Sequence, residues 1–210
     1  KYIAITDHTK SLAMTGGLDE RKIEAQGREI DRVQKKLGKT IRVLKGAEVN
    51  ILKDGRLDIA DATLKTLDLV AVAVHTNFNL SAEDQTERVI RALRHPLVNI
   101  LFHPTGRKIG MREPYKIDIL KIFRAAKQYG VVMEANAAPE RLDLKDTHIR
   151  DAVQLGVKLV VDSDAHAPPH FAWLDYGLAQ VRRGWGKKSD VLNTKSCDDF
   201  LKALRELKKK

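Results

Sequence analysis

Six short apolar runs punctuate the chain, and each gives way to polar residues. They cover residues 2–6, 41–47, 67–74, 98–102, 131–133 and 157–161. All are about strand length, and most are rich in β-branched residues or leucine. Runs like these read as buried strands of a parallel sheet. Helical spacing fills the intervals. Ile23, Ile30, Val33 and Leu37 recur on one face and end at Gly38, a C-cap residue. Ser81 stands three residues before Asp84, the spacing of a capping box, ahead of Val89, Ile90 and Leu93. A third stripe, Ile119, Ile122, Phe123 and Ala126, closes at Gly130, and residues 147–155 close at Gly156. The last helix, residues 198–207, is amphipathic through Phe200, Leu201, Leu204 and Leu207, then runs out in Lys208, Lys209 and Lys210. Strand–helix alternation at this interval predicts an α/β fold of βα repeats, closed as a barrel or open as a sheet, in one domain over residues 1–210.

The chemistry lies at the strand ends. The first run leads to Asp7 and His8, and the second to Glu48. The third leads to His75, the fourth to His103, the fifth to Glu134-Ala135-Asn136, and the sixth to Asp162-Ser163-Asp164-Ala165-His166. In a βα barrel these ends share one face, where such folds build their sites. Any one histidine there is unremarkable, since histidine is commonly half-buried. Four of the seven together with Glu48 and Asp164 indicate a metal centre made of His8, Glu48, His75, His103, Asp164 and His166. Nitrogen and oxygen donors without sulfur suit Mn²⁺ or Zn²⁺, with Fe²⁺ as an alternative. Six ligands exceed the needs of one tetrahedral ion, so at least two ions are expected, with Glu48 between them. Paired ions suit phosphoester hydrolysis. His95, His148 and His170 read as structural: His95 at a helix end, His148 on the solvent face of its helix, and His170 in a loop.

Composition narrows the setting. The 210 residues carry 38 Lys and Arg against 28 Asp and Glu, a formal charge of +10, which favours a polyanionic partner such as nucleic acid. A single cysteine, Cys197, allows no internal disulfide and has no histidine near it in sequence to make it a nucleophile. No apolar run reaches the length of a membrane span, and no signal-peptide pattern opens the chain, so a cytoplasmic protein is expected.

Several longer stretches resemble a known family. Residues 2–8 (YIAITDH), Gly46-Ala47-Glu48-Val49, Val74-His75, His103-Pro104-Thr105-Gly106-Arg107 and Ser163-Asp164-Ala165-His166 resemble successive motifs of the PHP (polymerase and histidinol phosphatase) superfamily. Gly16-Gly17-Leu18-Asp19, residues 51–58 (ILKDGRLD), Arg112-Glu113-Pro114-Tyr115, residues 136–144 (NAAPERLDL) and Arg182-Arg183-Gly184-Trp185 together resemble the C-terminal PHP domain of bacterial and archaeal family X DNA polymerases. The resemblance implies a distorted seven-stranded βα barrel with a trinuclear centre, usually supported by Mn²⁺. It implies 3′–5′ exonuclease and 3′-phosphatase activity on DNA 3′ ends, beside an upstream polymerase domain. Carried over residue by residue, the six ligands above fall on metal-ligand positions. Asp7, the residue before His8, is expected to orient that imidazole, and catalytic roles fall to Asp7, His8 and His103. The family opens with a His-x-His motif on a first strand that this chain does not contain, so its first βα unit is expected to be missing. Asn50 stands where relatives usually carry Asp.

Substrate contacts are expected from Lys10, Arg107 and Arg141. Arg107 lies in a loop with two glycines and three basic residues that follows His103. Trp173 and Trp185 are expected to pack beneath the loop after the sixth strand, and the terminal lysines to form a solvated helix end. A small-molecule phosphatase of the histidinol-phosphatase type and a non-catalytic PHP module are the competing readings. The oligomeric state is left open.

Overall fold

The computed structural model describes residues 1–12 and 16–209. Its elements alternate as the apolar runs predict: β1 (Tyr2–Ile5), α1 (Glu20–Leu37), β2 (Arg42–Asn50), α2 (Asp61–Leu64), β3 (Leu69–Ala73), α3 (Ala82–Leu93), β4 (Ile100–Leu101), α4 (Ile119–Tyr129), β5 (Val132–Asn136), α5 (Asp146–Gln154), β6 (Leu159–Asp162), α6 (Leu174–Arg183) and α7 (Cys197–Leu207). Short 3₁₀ turns precede and follow α6. The six strands pair in parallel in sequence order, and the sheet curls into part of a barrel. Among the described residues, no helix is long and apolar enough to cross a membrane.

Strand periodicity divides the core in two. Val70 and Val72 of β3 pack with Val49, Leu101, Met133, Val161, Ile122 and Phe123, between the sheet and its helices. Their neighbours Leu69, Ala71 and Ala73 pack with Leu44, Ile100, Phe102, Val132 and Val160. That second cluster includes Phe200, Leu201 and Leu204, the apolar face of α7. Both faces of β3 and β5 are therefore buried, which explains the unbroken apolar sequence of β3; β5 carries Glu134 and Asn136 toward its end.

The expected Ser81 cap forms, accepting from a backbone amide in the first turn of α3, and Asp19 and Asp118, which are not among the expected caps, do the same for α1 and α4. Gly130 ends α4 at φ 63°, and a Cβ there would lie 2.0 Å from the Leu207 carbonyl oxygen. The α4 terminus and the end of α7 thus meet at a point that only glycine fits. Lys208 corrects the expected solvated end: its Nζ donates to the Tyr129 carbonyl at 2.9 Å, and burial pushes its pKa down to about 8. Lys210 lies outside the described residues.

A cleft of about 730 Å³ runs between the two edge strands. Tyr2–Thr6 line one wall and Val160–Asp162 the other, Phe200 contributes at the apolar end, and His8, Glu48, Glu134, Asp164 and His166 line the polar end. The strand-end residues therefore open into a space that a small substrate or a chain terminus can enter.

Candidate metal centre

Glu48 is the hub. It sits near the end of β2, 4% exposed, with an amide that donates to the Asp7 carbonyl at 3.0 Å. This prolongs the β1–β2 pairing by one bridge and sets His8 directly beside Glu48. His8 Nδ1 lies 3.1 Å from Glu48 Oε2, and His75 Nε2 lies 3.0 Å from Oε1. His103 Nε2 makes a 2.8 Å hydrogen bond to the same Oε1. The His8 and His75 rings meet edge-on at 4.9 Å between centroids, and His75 and His103 at 5.2 Å. Burial alone would raise the Glu48 carboxyl, but the His103 and His75 imidazoles hold it well below the usual carboxylate range.

Two of these contacts lack hydrogen-bond geometry. His8 Nδ1 and His75 Nε2 are buried and have no hydrogen-bond partner among the described residues, although each stands about 3 Å from a carboxylate oxygen. The ligand atoms of His8, Glu48 and His75 all lie within 4.8 Å of one another. Orphaned imidazole nitrogens around a buried carboxylate fit a transition ion, which takes lone pairs where no proton is shared.

The tautomer of His75 is set from behind. Its Nδ1 donates to Asn50 Oδ1 at 2.6 Å, which leaves Nε2 free to face Glu48. The Asn50 amide donates to Thr9 Oγ1 and Asp58 Oδ2, both at 2.9 Å. Asp58 also accepts from Thr9 Oγ1, the Asn50 amide N–H and the Ser11 amide N–H. Asn50 therefore has both ends of its side chain occupied, with the charge of the network one step further back, on Asp58.

Asp164 and His166 stand on the β6 side of the cleft. Asp164 has φ 49°, and its Oδ2 accepts from Asn136 Nδ2 at 3.2 Å and lies 3.3 Å from Arg141 Nε. His166 is exposed, with its Nδ1 2.8 Å from the Asp164 carbonyl and its ring 6.4 Å from that of His8. Of the six sequence-predicted ligands, three histidines thus surround Glu48, while Asp164 and His166 stand apart from that group, on the rim of the cleft. Beside them are two carboxyls not proposed as ligands, Glu134 and Asp162. Glu134 accepts from the His103 amide and from Asn136 Nδ2. Burial first, then the neighbouring charge of Asp162, raises Glu134 well above the usual range; burial raises Asp162 to about 6. Their signal was positional: both occupy strand ends, as the ligands do.

Other expected residues take different places. The Asp7 carboxylate is exposed and accepts from Gln26 on α1, so the expected contact with His8 is replaced by one to that helix. Lys10 pairs with Glu20 at 2.7 Å. Arg107 donates through Nε to the Arg141 carbonyl at 2.7 Å and through Nη2 to that of Leu142. Arg112 donates twice to the Gly106 carbonyl and lies over the Phe78 ring. Two arginines of this loop hold its fold. Arg141 keeps a buried Nη1 that has no partner among the described residues. Asp143, fully buried, accepts from the amides of Thr105 and Gly106 through one oxygen, and its other oxygen has no partner among the described residues.

The remaining histidines and tryptophans partly revise the expectations. His95 pairs with Asp61 at its helix end, and His170 stacks on Trp173 at 3.9 Å. His148 is half-buried rather than solvent-facing, and burial followed by the nearby charge of Lys145 pushes it down to about 4. Trp185 is 66% exposed beneath Arg150 and does not pack under the loop, because Gly184 and Gly186 beside it take the close contacts with Ile149 and Val181. The Cys197 thiol is raised by burial, the opposite of an activated nucleophile.

Comparison with known proteins finds relatives in both sequence and fold. No protein-family profile matches the chain. The DNA polymerase/3′-5′ exonuclease PolX of Bacillus subtilis is 38% identical over 205 residues, 96% of this chain and 36% of its own length. The chain thus spans about a third of that relative. A probable phosphatase of Thermoanaerobacter is 32% identical over 180 residues, covering 81% of this chain and 71% of the relative. The fold matches a crystal structure of histidinol phosphate phosphatase from Lactococcus lactis, solved with zinc, L-histidinol and phosphate. The TM-score is 0.60 and the identity 14%, over 89% of this chain and 83% of the other.

Proposed function

From a chain that belongs to the PHP superfamily, we propose a metal-dependent phosphoesterase that acts on DNA 3′ ends, removing nucleotides or a terminal phosphate. The convergence of His8, His75 and His103 on Glu48, with two imidazole nitrogens left unpaired, carries the phosphoesterase reading. The DNA reading is supported by the PolX relative and by the +10 charge. His8, Glu48, His75, His103, Asp164 and His166 would hold two or three Mn²⁺ or Zn²⁺ ions. Such ions supply Lewis acidity toward the phosphoryl group and activate water.

The chain's own residues do the rest. Asn50 keeps His75 in the tautomer that faces the cluster. Arg141 offers the partnerless Nη1 to a phosphate oxygen while its Nε stays on Asp164. Lys10, 44% exposed, and Arg107 add positive charge to the approach. Asp143 pins the turn after His103, which holds that imidazole against Glu48. An attached polymerase domain would present the 3′ end to the cleft.

The test compares three substrates with Mn²⁺: an oligonucleotide with a 3′-hydroxyl, the same oligonucleotide with a 3′-phosphate, and histidinol phosphate. Turnover of the oligonucleotides, abolished in Glu48→Gln, is expected. Turnover of histidinol phosphate alone would move the assignment to the small-molecule phosphatases.

A further inference from the structure

The loop after His103 is built more firmly than an exposed loop requires. His103 and Gly106 both have positive φ, so the chain turns sharply as it leaves the cluster. A Cβ on Gly106 would lie 2.6 Å from the Tyr115 ring, so glycine lets this turn sit against that ring. Residues 108–112 then form a tight hairpin: the Lys108 and Arg112 amides each donate to the other's carbonyl at 2.8 Å, and Met111 N donates to Lys108 O at 2.9 Å. Gly110 supplies the left-handed position at φ 72°. Arg107 ties the base of the hairpin to residues 141 and 142, Arg112 ties it to Gly106, and Ile109 N donates to the Glu140 carbonyl at 2.6 Å.

What this scaffold presents to water is apolar. Ile109 is 51% exposed and Met111 78%. Exposed loop tips are ordinarily polar and mobile, and two large apolar side chains held out on a rigid turn mark a contact surface. Its place narrows the contact. Glu140, which pairs with Ile109, precedes Arg141, and Arg141 Nε lies 3.3 Å from Asp164. The tip is therefore tied to the backbone one residue before Arg141, whose side chain makes the phosphate contact proposed above, on a chain of charge +10.

We propose that Ile109 and Met111 form a base-binding platform that seats the terminal nucleobase of a nucleic-acid strand while its phosphate enters the metal centre. This rests on the DNA reading and adds to it the part that recognises the base. An occupant that is anionic at one end and flat and apolar at the other matches the juxtaposition of Arg141 with the hairpin tip. Contact between an apolar side chain and a base face is tolerant of sequence, so the platform reads the presence of a base and not its identity.

The test uses the full chain with Mn²⁺, a double variant (Ile109→Ser with Met111→Ser), and Met111→Trp. Each is assayed on a short single-stranded oligonucleotide and on glycerol 2-phosphate, a phosphoester without a ring. For the double variant, kcat/KM on the oligonucleotide is expected to fall by about tenfold, the scale of one lost stacking contact, mainly through KM. Turnover of glycerol 2-phosphate is expected to stay unchanged, and Met111→Trp to keep or improve oligonucleotide turnover. Equal losses on both substrates would reduce the hairpin to a support for His103 and overturn the platform. Unchanged oligonucleotide kinetics would also overturn it while leaving the DNA reading intact. A wild-type protein that hydrolyses only the small ester would remove the DNA reading and the platform with it. Binding of the wild type, but not the double variant, to phosphatidylserine vesicles, with equal oligonucleotide kinetics, would reassign the tip to lipid.

Discussion

Asn50 shows how much one neutral side chain arranges around the cluster. It accepts from His75 and donates to Thr9 and Asp58, so it fixes the tautomer of a ligand without bringing a second charge beside Asp58. Asn50→Leu, close in size but unable to bond, should lower metal affinity by about 10–100-fold, the usual effect of losing the group behind a ligand. The fold should persist, so chelator competition followed by metal analysis, with circular dichroism as control, checks it. Retention of full metal affinity would mean that packing alone orients His75. Asn50 drew attention in the sequence as a departure from its relatives, yet its partners were not legible there. Thr9 and Asp58 lie 41 and 8 residues away. Asp7 teaches the converse: adjacency to His8 in sequence suggested contact, but the carboxylate turns to Gln26 on α1.

At the level of elements, helix ends and strand ends were the most legible features, because their signals are local. Ser81 and Gly38 cap α3 and α1 through atoms a few residues away. Gly130 carries a further, tertiary burden. Besides its positive φ, it leaves room for the carbonyl of Leu207 at the end of α7. Gly130→Ala should therefore cost about 1–3 kcal/mol, more than a cap in open solvent, because strain at φ 63° adds to a backbone collision. Urea unfolding of the purified variant measures this. A loss below a few tenths would show that the two helix ends separate freely. The loop after His103 marks the limit of local reading. Arg107 looked like a phosphate ligand, but it and Arg112 hold carbonyls 6 to 35 residues away.

Over the whole molecule, two half-buried bases should shape the dependence of stability on pH. His148 titrates near 4 in the fold and near 6.5 when unfolded, so the unfolded chain takes up its proton first. Stability is then lost as pH falls from about 6.5 toward 4. Lys208 titrates near 8 in the fold against 10.5 unfolded, so its buried charge weakens the fold at neutral pH, and that cost fades as pH rises from 8 to 10.5. Urea midpoints across pH should show a shallower acid limb in His148→Gln. Lys208→Met should gain over wild type at pH 7, with the gain shrinking above pH 8. Parallel curves for wild type and both variants would mean that water reaches both groups freely. Apolar period and length determined the strands, their order and the placement of metal-capable side chains at their ends, because burial selects residues one at a time and each strand presents its own end. Which of those residues meet was decided only by the curl of the sheet. It brings β1 to the far side of a cleft from β6, sets three imidazoles around one carboxylate, and gives Asn50, Asp143 and Arg141 roles set by neighbours far away in the chain.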